Sequence, residues 1–183
     1  MSTLALKEWS AAIHALLAGR QCVLLRKGGI GEKRFTIAAQ HFPLFPTVAH
    51  SHMTRVRHEH RDLLAASAAD STGEAIVVRA VASVVAAIEV GRPQRIDDIS
   101  DLHIWTPESV YSDRLDFRPR HRLTVLVVKA IPLVDPVRLL RVPDYGGCKS
   151  WVPIPLEGRR LAGPVCDDAT LTTVATRVRE TLG

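Results

Sequence analysis

Apolar residues in the first part of the chain recur at helical spacing before giving way to short apolar runs. The helical positions are Leu4, Leu6, Trp9, Ile13, Leu16 and Leu17. This spacing predicts a helix over residues 4–18, with Gly19 as its C-cap.

The runs QCVLLR at 21–26 and KRFTIAAQ at 33–40 flank a glycine turn. They predict a β-hairpin with a loop longer than two residues. The following HFPLFPT, at 41–47, should be extended because residues before proline avoid the helical region.

The middle of the chain contains one probable helix and one ambiguous apolar stretch. EHRDLLAASAA at 59–69 is typical of a short helix. In EAIVVRAVASVVAAIEV, at 74–90, alanine favours helix whereas the valine density favours strand. Gly73 and the turn at 91–93 bound this stretch like a sheet element, so we predict a long strand.

The second half of the chain predicts short helices and further strands. IDDISDL at 96–102 is typical of a short helix, and Thr106 before Pro107 predicts a helix start with threonine as N-cap. The remaining predicted elements are the strands RLTVLVVKAIPL at 122–133 and CKSWVPI at 148–154 and the capped helix DDATLTTVATRVRETLG at 167–183. This order predicts a single α+β domain over residues 1–183, with a mixed, mostly antiparallel sheet or a small β-barrel flanked by helices.

Composition favours a soluble globular protein. Of the 183 residues, 46% are hydrophobic and 23% are charged, which is enough apolar content for a core. The cysteines Cys22, Cys148 and Cys166 form no CxxC pair, so we expect neither disulfides nor a cysteine zinc site, and a cytoplasmic setting. The longest apolar stretch, residues 75–90, contains Arg79 and is too short for a membrane helix.

The charge balance indicates a class of binding partner. The net charge is +5, the pI is about 9.5, and arginine heavily outnumbers lysine. Because the arginine fork pairs with phosphate at two points, a basic, arginine-rich surface favours a nucleic-acid partner.

The stretch LLRKGGIGEKRF, at 24–35, resembles a nucleotide-binding loop but lacks the required residues. No Gly-Lys-Ser/Thr follows, which excludes a P-loop, and Arg34 stands where a dinucleotide fingerprint needs its third glycine. What is left is a hairpin that carries Arg26, Lys27, Lys33 and Arg34. These cations either contact backbone phosphates or form a solvated tip.

A second basic segment, RLDFRPRHR at 114–122, interleaves cations with Phe117. Its basic residues are Arg114, Arg118, Arg120, His121 and Arg122. Arginines beside an aromatic ring suit phosphate contacts with base stacking, whereas ion pairs to Asp113 and Asp116 would explain the segment equally well.

The histidines of HSHMTRVRHEH, at 50–60, could form a zinc site, but Arg55 and Arg57 would crowd a dication. We therefore predict no metal and assign His50 and Arg55 to phosphate contacts. Cys148, beside Lys149, has the surroundings of a nucleophile, but a buried strand cysteine is the commoner case, so we predict no catalytic residue.

Two tryptophans are candidate base contacts. Trp105 adjoins the predicted helix start, where an exposed indole could line a base pocket, and Trp151 is either a core or a pocket aromatic.

Six phrases in order along the chain resemble the family called domain of unknown function 1802. The phrases are ALKEW (5–9), LLRKGGI (24–30), FPLFPTVAH (42–50), HIWT (103–106), RLDFRP (114–119) and YGGCKSWVPI (145–154). Some members of that family are joined to restriction-type nuclease domains, which implies a role near DNA processing. This chain has no room for such a domain, so a nuclease would be a separate chain. A weaker resemblance in fold, to pseudouridine synthase and archaeosine transglycosylase (PUA)-like modules, rests on residues 18–26 and 77–93 together with the strand that follows Arg122.

Together these patterns predict a non-enzymatic nucleic-acid-binding module, for DNA rather than RNA, as a specificity or accessory component of a restriction or defence system. No cofactor or membrane partner is expected. The predicted contacts are Arg26, Lys27, Lys33, Arg34, His50, Arg55, Trp105, Arg114, Arg118, Arg120, Arg122, Lys149 and Trp151. Two alternatives stay open: an enzyme acting on a phosphorylated small molecule or nucleic acid, and a protein-interaction subunit.

Overall fold

The computed structural model describes residues 2–28, 34–48, 51–117, 119–156 and 158–183. The strands are β1 (Thr3–Trp9), β2 (Val23–Lys27), β3 (His41–Thr47), β4 (Ala75–Glu89), β5 (Leu123–Leu140) and β6 (Trp151–Ile154). The α-helices are α1 (Ser10–Leu17), α2 (His52–Arg55), α3 (Leu64–Ala69), α4 (Pro107–Val110) and α5 (Asp168–Leu182). Shorter turns of helix are 3-10 at His58–Leu63, Pro93–Leu102 and Pro143–Tyr145, and π at Tyr111–Asp116.

The six strands form one mixed sheet in the order β2-β5-β4-β3-β1-β6. β1 and β3 run parallel, and the other neighbouring pairs are antiparallel. The sheet is not closed into a barrel, since no pairing joins β2 to β6 in the described part of the chain. The α+β prediction with a mixed, mostly antiparallel sheet is therefore confirmed, and the barrel alternative is not.

The helix predicted over residues 4–18 is wrong in its first half, because Thr3–Trp9 is strand β1 and helix α1 begins only at Ser10. β1 lies between β3 and β6 in the sheet, with Leu6 paired to both Leu44 and Trp151. A strand covered on both faces has no polar alternation, so its apolar residues fitted a helical spacing by coincidence.

The predicted hairpin around the glycine turn is also wrong. β2 pairs with β5, from Val23 with Val127 to Lys27 with Leu123, and residues 34–40 form no strand. Residues 29–33 lie outside the described part of the chain. β5 is a long apolar strand buried along most of its first half, and it buries β2 better than the mixed KRFTIAAQ run could.

Several predicted elements are confirmed. β3 is extended, the ambiguous stretch is strand β4, and Thr106 caps α4 by accepting a hydrogen bond from Ser109 N. The helix expected at 59–69 is divided into a 3-10 turn and α3. β6 begins at Trp151, so Cys148 lies on an exposed loop and not in a buried strand.

The long β4 and β5 strands connect two buried clusters. Ala5 and Phe45 pack in one cluster with Ile76, whereas their neighbours Leu6 and Leu44 pack in the other. Successive strand side chains point to opposite faces, so β1 and β3 are covered on both. Helix α5, capped by Asp167, packs against β4 and β5. Among the described helices none has the length and apolar character needed to span a membrane.

Candidate functional site

A buried ion pair joins strands that are far apart in the sheet order. Glu8, 3% exposed at the end of β1, accepts a hydrogen bond from Arg26 Nη1 of β2 at 2.9 Å. Its other oxygen accepts from the backbone N–H of Trp9 at 2.7 Å. β2 is the first strand in the sheet and β1 is the fifth, so the sheet must curl until their ends face each other.

Next to this pair lies a group of stacked rings and guanidinium groups, which we call the tryptophan-arginine cluster: Trp9, His52, Arg55, Trp105 and Arg114. The rings of Trp9 and His52 stack with centroids 4.5 Å apart, and Trp105 meets Trp9 edge-on at 5.2 Å. Arg114 Cζ lies 5.6 Å from the centroids of both indoles, and Arg55 Cζ lies 5.4 Å from that of Trp9. Guanidinium groups at this distance are attracted by the negative ring faces.

Burial and neighbouring cations set the protonation states in the cluster. Burial lowers the pKa of Arg114; Glu8 and Asp113 oppose this, whereas Arg26 and Arg55 add to it. Burial, helped by Arg55, also lowers the pKa of His52 to about 4, so its ring is neutral at pH 7. Arg55 is paired with Asp113 on the π-helical turn, with Nη2 to Oδ1 at 3.2 Å.

Lys27 connects the first basic segment, residues 24–35, to the second, residues 114–122. Its ammonium donates to the backbone carbonyls of Arg114, Leu115 and Phe117, at the end of the π-helical turn. Burial lowers the pKa of Lys27. Segments that are some ninety residues apart in sequence therefore lie side by side, which the sequence alone left open.

Two adjoining cavities open beside this junction. The first, which we call the basic cleft, has a volume of about 420 Å³ and is lined by Arg34, Glu89, Arg120 and Arg122. Arg122 is paired with Glu89, whereas Arg34 and Arg120 are exposed and form no ion pair with any described residue.

The second cavity, which we call the inner pocket, has a volume of about 230 Å³. Its polar lining is Lys27, Arg114, His121 and Arg122. Its apolar lining is Val90, Pro93, Leu115, Pro119 and Leu123. Arg122 lines both cavities, so the inner pocket and the basic cleft are neighbours.

The structure gathers eight of the predicted contacts around these features: Arg26, Lys27, Arg34, Arg55, Trp105, Arg114, Arg120 and Arg122. Trp151 connects to them through Phe35, on which it stacks at 6.0 Å and over which Arg26 Cζ lies at 5.2 Å. Lys149 is exposed and interacts electrostatically with Lys7, away from the cleft lining. The predicted contacts Lys33, His50 and Arg118 lie outside the described residues.

The expected exposed indole of Trp105 is wrong, since that residue is 3% exposed. Its segment forms a β-bridge to Val56, and its backbone N–H donates to His103 Nδ1 at 3.2 Å. Burial lowers the pKa of His103 to about 4, which leaves Nδ1 free to accept. The threonine cap was correctly identified. An N-cap does not indicate, however, whether the side chain of the residue before it is buried.

Sequence reasoning missed Glu8 and Trp9, which were assigned to the face of a helix. The available signal was a charged residue at the end of an apolar run, LALKEW, within one of the phrases that carry the family resemblance. The ion pairing expected inside the second basic segment also differs, because Asp113 pairs with Arg55 of helix α2.

Two alternative chemistries can be compared with the geometry. Among the described residues no group of three or more His, Cys, Asp or Glu side chains is placed to hold a metal ion. A deep pocket that joins Arg26, His50 and a carboxylate would support the enzyme alternative. Arg26 and the Glu8 carboxylate do meet, and His50 lies outside the described ranges.

These features define a class of protein: a single α+β domain whose mixed sheet curls around a buried ion pair and has a basic cleft beside it. The chain belongs to the family described as domain of unknown function (DUF1802), whose model matches residues 5–177. No curated protein and no solved structure matches the chain, and the PUA-like resemblance stays without support.

Proposed function

We propose that the protein is a nucleic-acid-binding module that holds a strand backbone in the basic cleft. The observation that carries the proposal is the meeting of the two basic segments. Arg34 belongs to the first basic segment, residues 24–35, and Arg120 and Arg122 belong to the second, and all three line one cavity. Exposed guanidinium groups that share a cavity suit phosphate contacts, and no described acidic residue pairs with Arg34 or Arg120.

The charges of the cleft divide into two kinds. Arg122 is offset by Glu89, whereas no acidic side chain among the described residues pairs with Arg34 or Arg120 at the cavity wall. Arg26, Arg55 and Lys27 are committed to Glu8, Asp113 and backbone carbonyls, so we assign them to shaping the cleft.

We further propose DNA rather than RNA as the partner, and an accessory or specificity role in a restriction or defence system. This part rests on the family whose members include fusions to restriction-type nucleases.

The test is fluorescence anisotropy with single-stranded DNA, duplex DNA and RNA of the same sequence. We expect the double variant R34Q/R120Q to weaken binding about tenfold or more at low salt. The slope of log affinity against log salt should also become less steep, by about 0.9 per lost duplex contact or 0.7 per lost single-strand contact.

A matched control is R138Q/R159Q, which removes the same charge from two exposed arginines that do not line the basic cleft. If both double variants weaken binding equally, net charge and not the cleft attracts the ligand. If the wild type binds none of the three nucleic acids at micromolar concentration, the proposal is wrong.

A further inference from the structure

Arg114 is half-buried, and its guanidinium is held by ring contacts. It lies against the faces of Trp9 and Trp105, and no described residue accepts a hydrogen bond from it. Glu8, the nearest buried carboxylate, already accepts from Arg26 and from the Trp9 backbone. Ring stacking occupies the faces of a guanidinium and leaves its in-plane N–H groups free, so Arg114 has donors available for a ligand.

An unsatisfied buried polar atom lies in the same pocket. His121 lines the inner pocket together with Arg114, and its Nδ1 atom is buried without a partner among the described residues. Buried polar atoms are nearly always hydrogen-bonded, so this nitrogen, beside the available donors of Arg114, points to a ligand.

The size and lining of the inner pocket limit what this ligand can be. A volume of about 230 Å³ corresponds to roughly eight water molecules of about 30 Å³ each. This space accommodates a phosphate group and the carbon that carries it, but not a base pair. Arg114 and Arg122 place two guanidinium groups in the lining, the second offset by Glu89, and prolines and leucines form part of the remaining wall.

A phosphate monoester fits this lining better than a phosphodiester does. A monoester carries a charge of about −1.5 to −2 at pH 7 and three acceptor oxygens, whereas a backbone phosphodiester carries one charge. The pocket is also next to the basic cleft through Arg122, so a strand lying in the cleft can place its end in the pocket.

We propose that the inner pocket binds the terminal phosphate of a nucleic-acid strand, with Arg114 as its principal ligand and His121 as a second donor. This inference rests on the proposed function and adds to it a preference for phosphorylated ends. Lys27 acts as a positioning residue, because its ammonium holds the backbone carbonyls of Arg114 and of the next residue, Leu115.

The test compares short single-stranded oligonucleotides that differ only at their ends: hydroxyl at both, phosphate at the 5′ end, or phosphate at the 3′ end. We expect one phosphorylated form to bind about tenfold more tightly than the hydroxyl form. Inorganic phosphate should release that form at concentrations that leave the hydroxyl form bound. Equal affinity for all three forms would overturn the pocket and leave the proposed function standing, whereas no binding of any form would overturn both.

Variants separate the pocket from the cleft. R114Q and H121A should each reduce the preference for the phosphorylated end, about tenfold for R114Q and less for H121A. R34Q/R120Q should weaken all three oligonucleotides alike and keep the preference. Because Arg114 packs against two indoles, H121A provides the test if R114Q does not fold by circular dichroism. A preference unchanged in H121A and in folded R114Q would contradict the assignment.

Discussion

Glu8 provides the negative charge for the cations that lie beside it. It is buried, and the cations Arg26, Arg55 and Arg114 lie close enough to it or to one another to interact. Desolvating a guanidinium is costly, so removing one partner of a buried pair destabilises a protein more than the pair itself stabilises it. The curl that brings β1 and β2 together therefore depends on this carboxylate.

We expect Glu8→Gln to lower the free energy of unfolding by about 3 kcal/mol, because Arg26 would stay buried without a countercharge. Urea unfolding monitored by tryptophan fluorescence measures the change. Glu74→Gln is the matched control, since Glu74 is exposed, and it should shift the unfolding free energy by less than about 0.5 kcal/mol. Equal effects of the two variants would show that the buried pair contributes nothing.

His103 makes stability depend on pH. Its pKa is about 4 in the folded protein and should be near the ordinary value of 6.5 when unfolded, so the unfolded chain binds the proton first as pH falls. The stability due to the neutral ring is fully present above pH 6.5 and is lost progressively towards pH 4. His52, with a pKa of about 4, acts in the same direction.

We expect His103→Asn to lose about 2 kcal/mol less stability than the wild type between about pH 7.5 and about pH 5, as one fewer group is protonated on unfolding. Asparagine can still accept from Trp105 N. Urea unfolding at both pH values gives the difference. The exposed His58→Asn should lose as much as the wild type; a loss in His103→Asn that equals the wild-type loss would refute this origin of the pH dependence.

At the scale of elements, the π-helical turn Tyr111–Asp116 is held in place by contacts with other elements. Its Arg114 and Leu115 carbonyls, together with that of Phe117, accept from the ammonium of Lys27 on β2. Asp113 within the turn pairs with Arg55 of α2. A short turn of this kind has few hydrogen bonds of its own, so its position depends on these contacts. Because it carries Arg114, the shape of the inner pocket depends on them as well.

We expect Lys27→Met to lower the free energy of unfolding by about 2 kcal/mol, because backbone carbonyls lose their donor while the side chain keeps its apolar stem. Hydrogen exchange should become faster for the amides of residues 111–117. Lys129→Met is the control, because Lys129 pairs with Asp168, whose side chain is 80% exposed, and its loss should cost less than about 1 kcal/mol. Unchanged hydrogen exchange at residues 111–117 would show that Lys27 does not hold the turn in place.

At the scale of the whole molecule, β4 and β5 make the two buried clusters one cooperative unit. Trp9, Trp105 and Trp151 all pack with the larger cluster, whereas Ile76 is fully buried in the smaller one. The same two strands contribute to both clusters, so neither can unfold while the other keeps its sheet.

We therefore expect Ile76→Ala to lower the free energy of unfolding by about 2 to 5 kcal/mol, and the loss to be equal by tryptophan fluorescence and by far-ultraviolet circular dichroism. Leu161→Ala, an exposed apolar change, serves as the control. A biphasic dichroism curve with an unmoved fluorescence midpoint would mean that the clusters unfold separately.

How far the sequence predicts this fold varies with burial. β4, β5 and the capped helices α4 and α5 were recognisable because propensity, bounding turns and caps agree locally. β1 was taken for a helix because a strand buried on both faces shows no alternation of apolar and polar residues. The partner of β2 was misassigned because strand pairing is decided by the best available apolar edge, which lay about a hundred residues away.

The same division applies to the site. By itself the sequence determined that this is an α+β chain with two arginine-rich segments, since composition and local pattern carry that information. Only the tertiary structure decided which cations lie at a cavity and which are paired with buried groups. It also decided that Trp105 is buried. Those outcomes depend on contacts between distant segments, whose geometry no local pattern encodes.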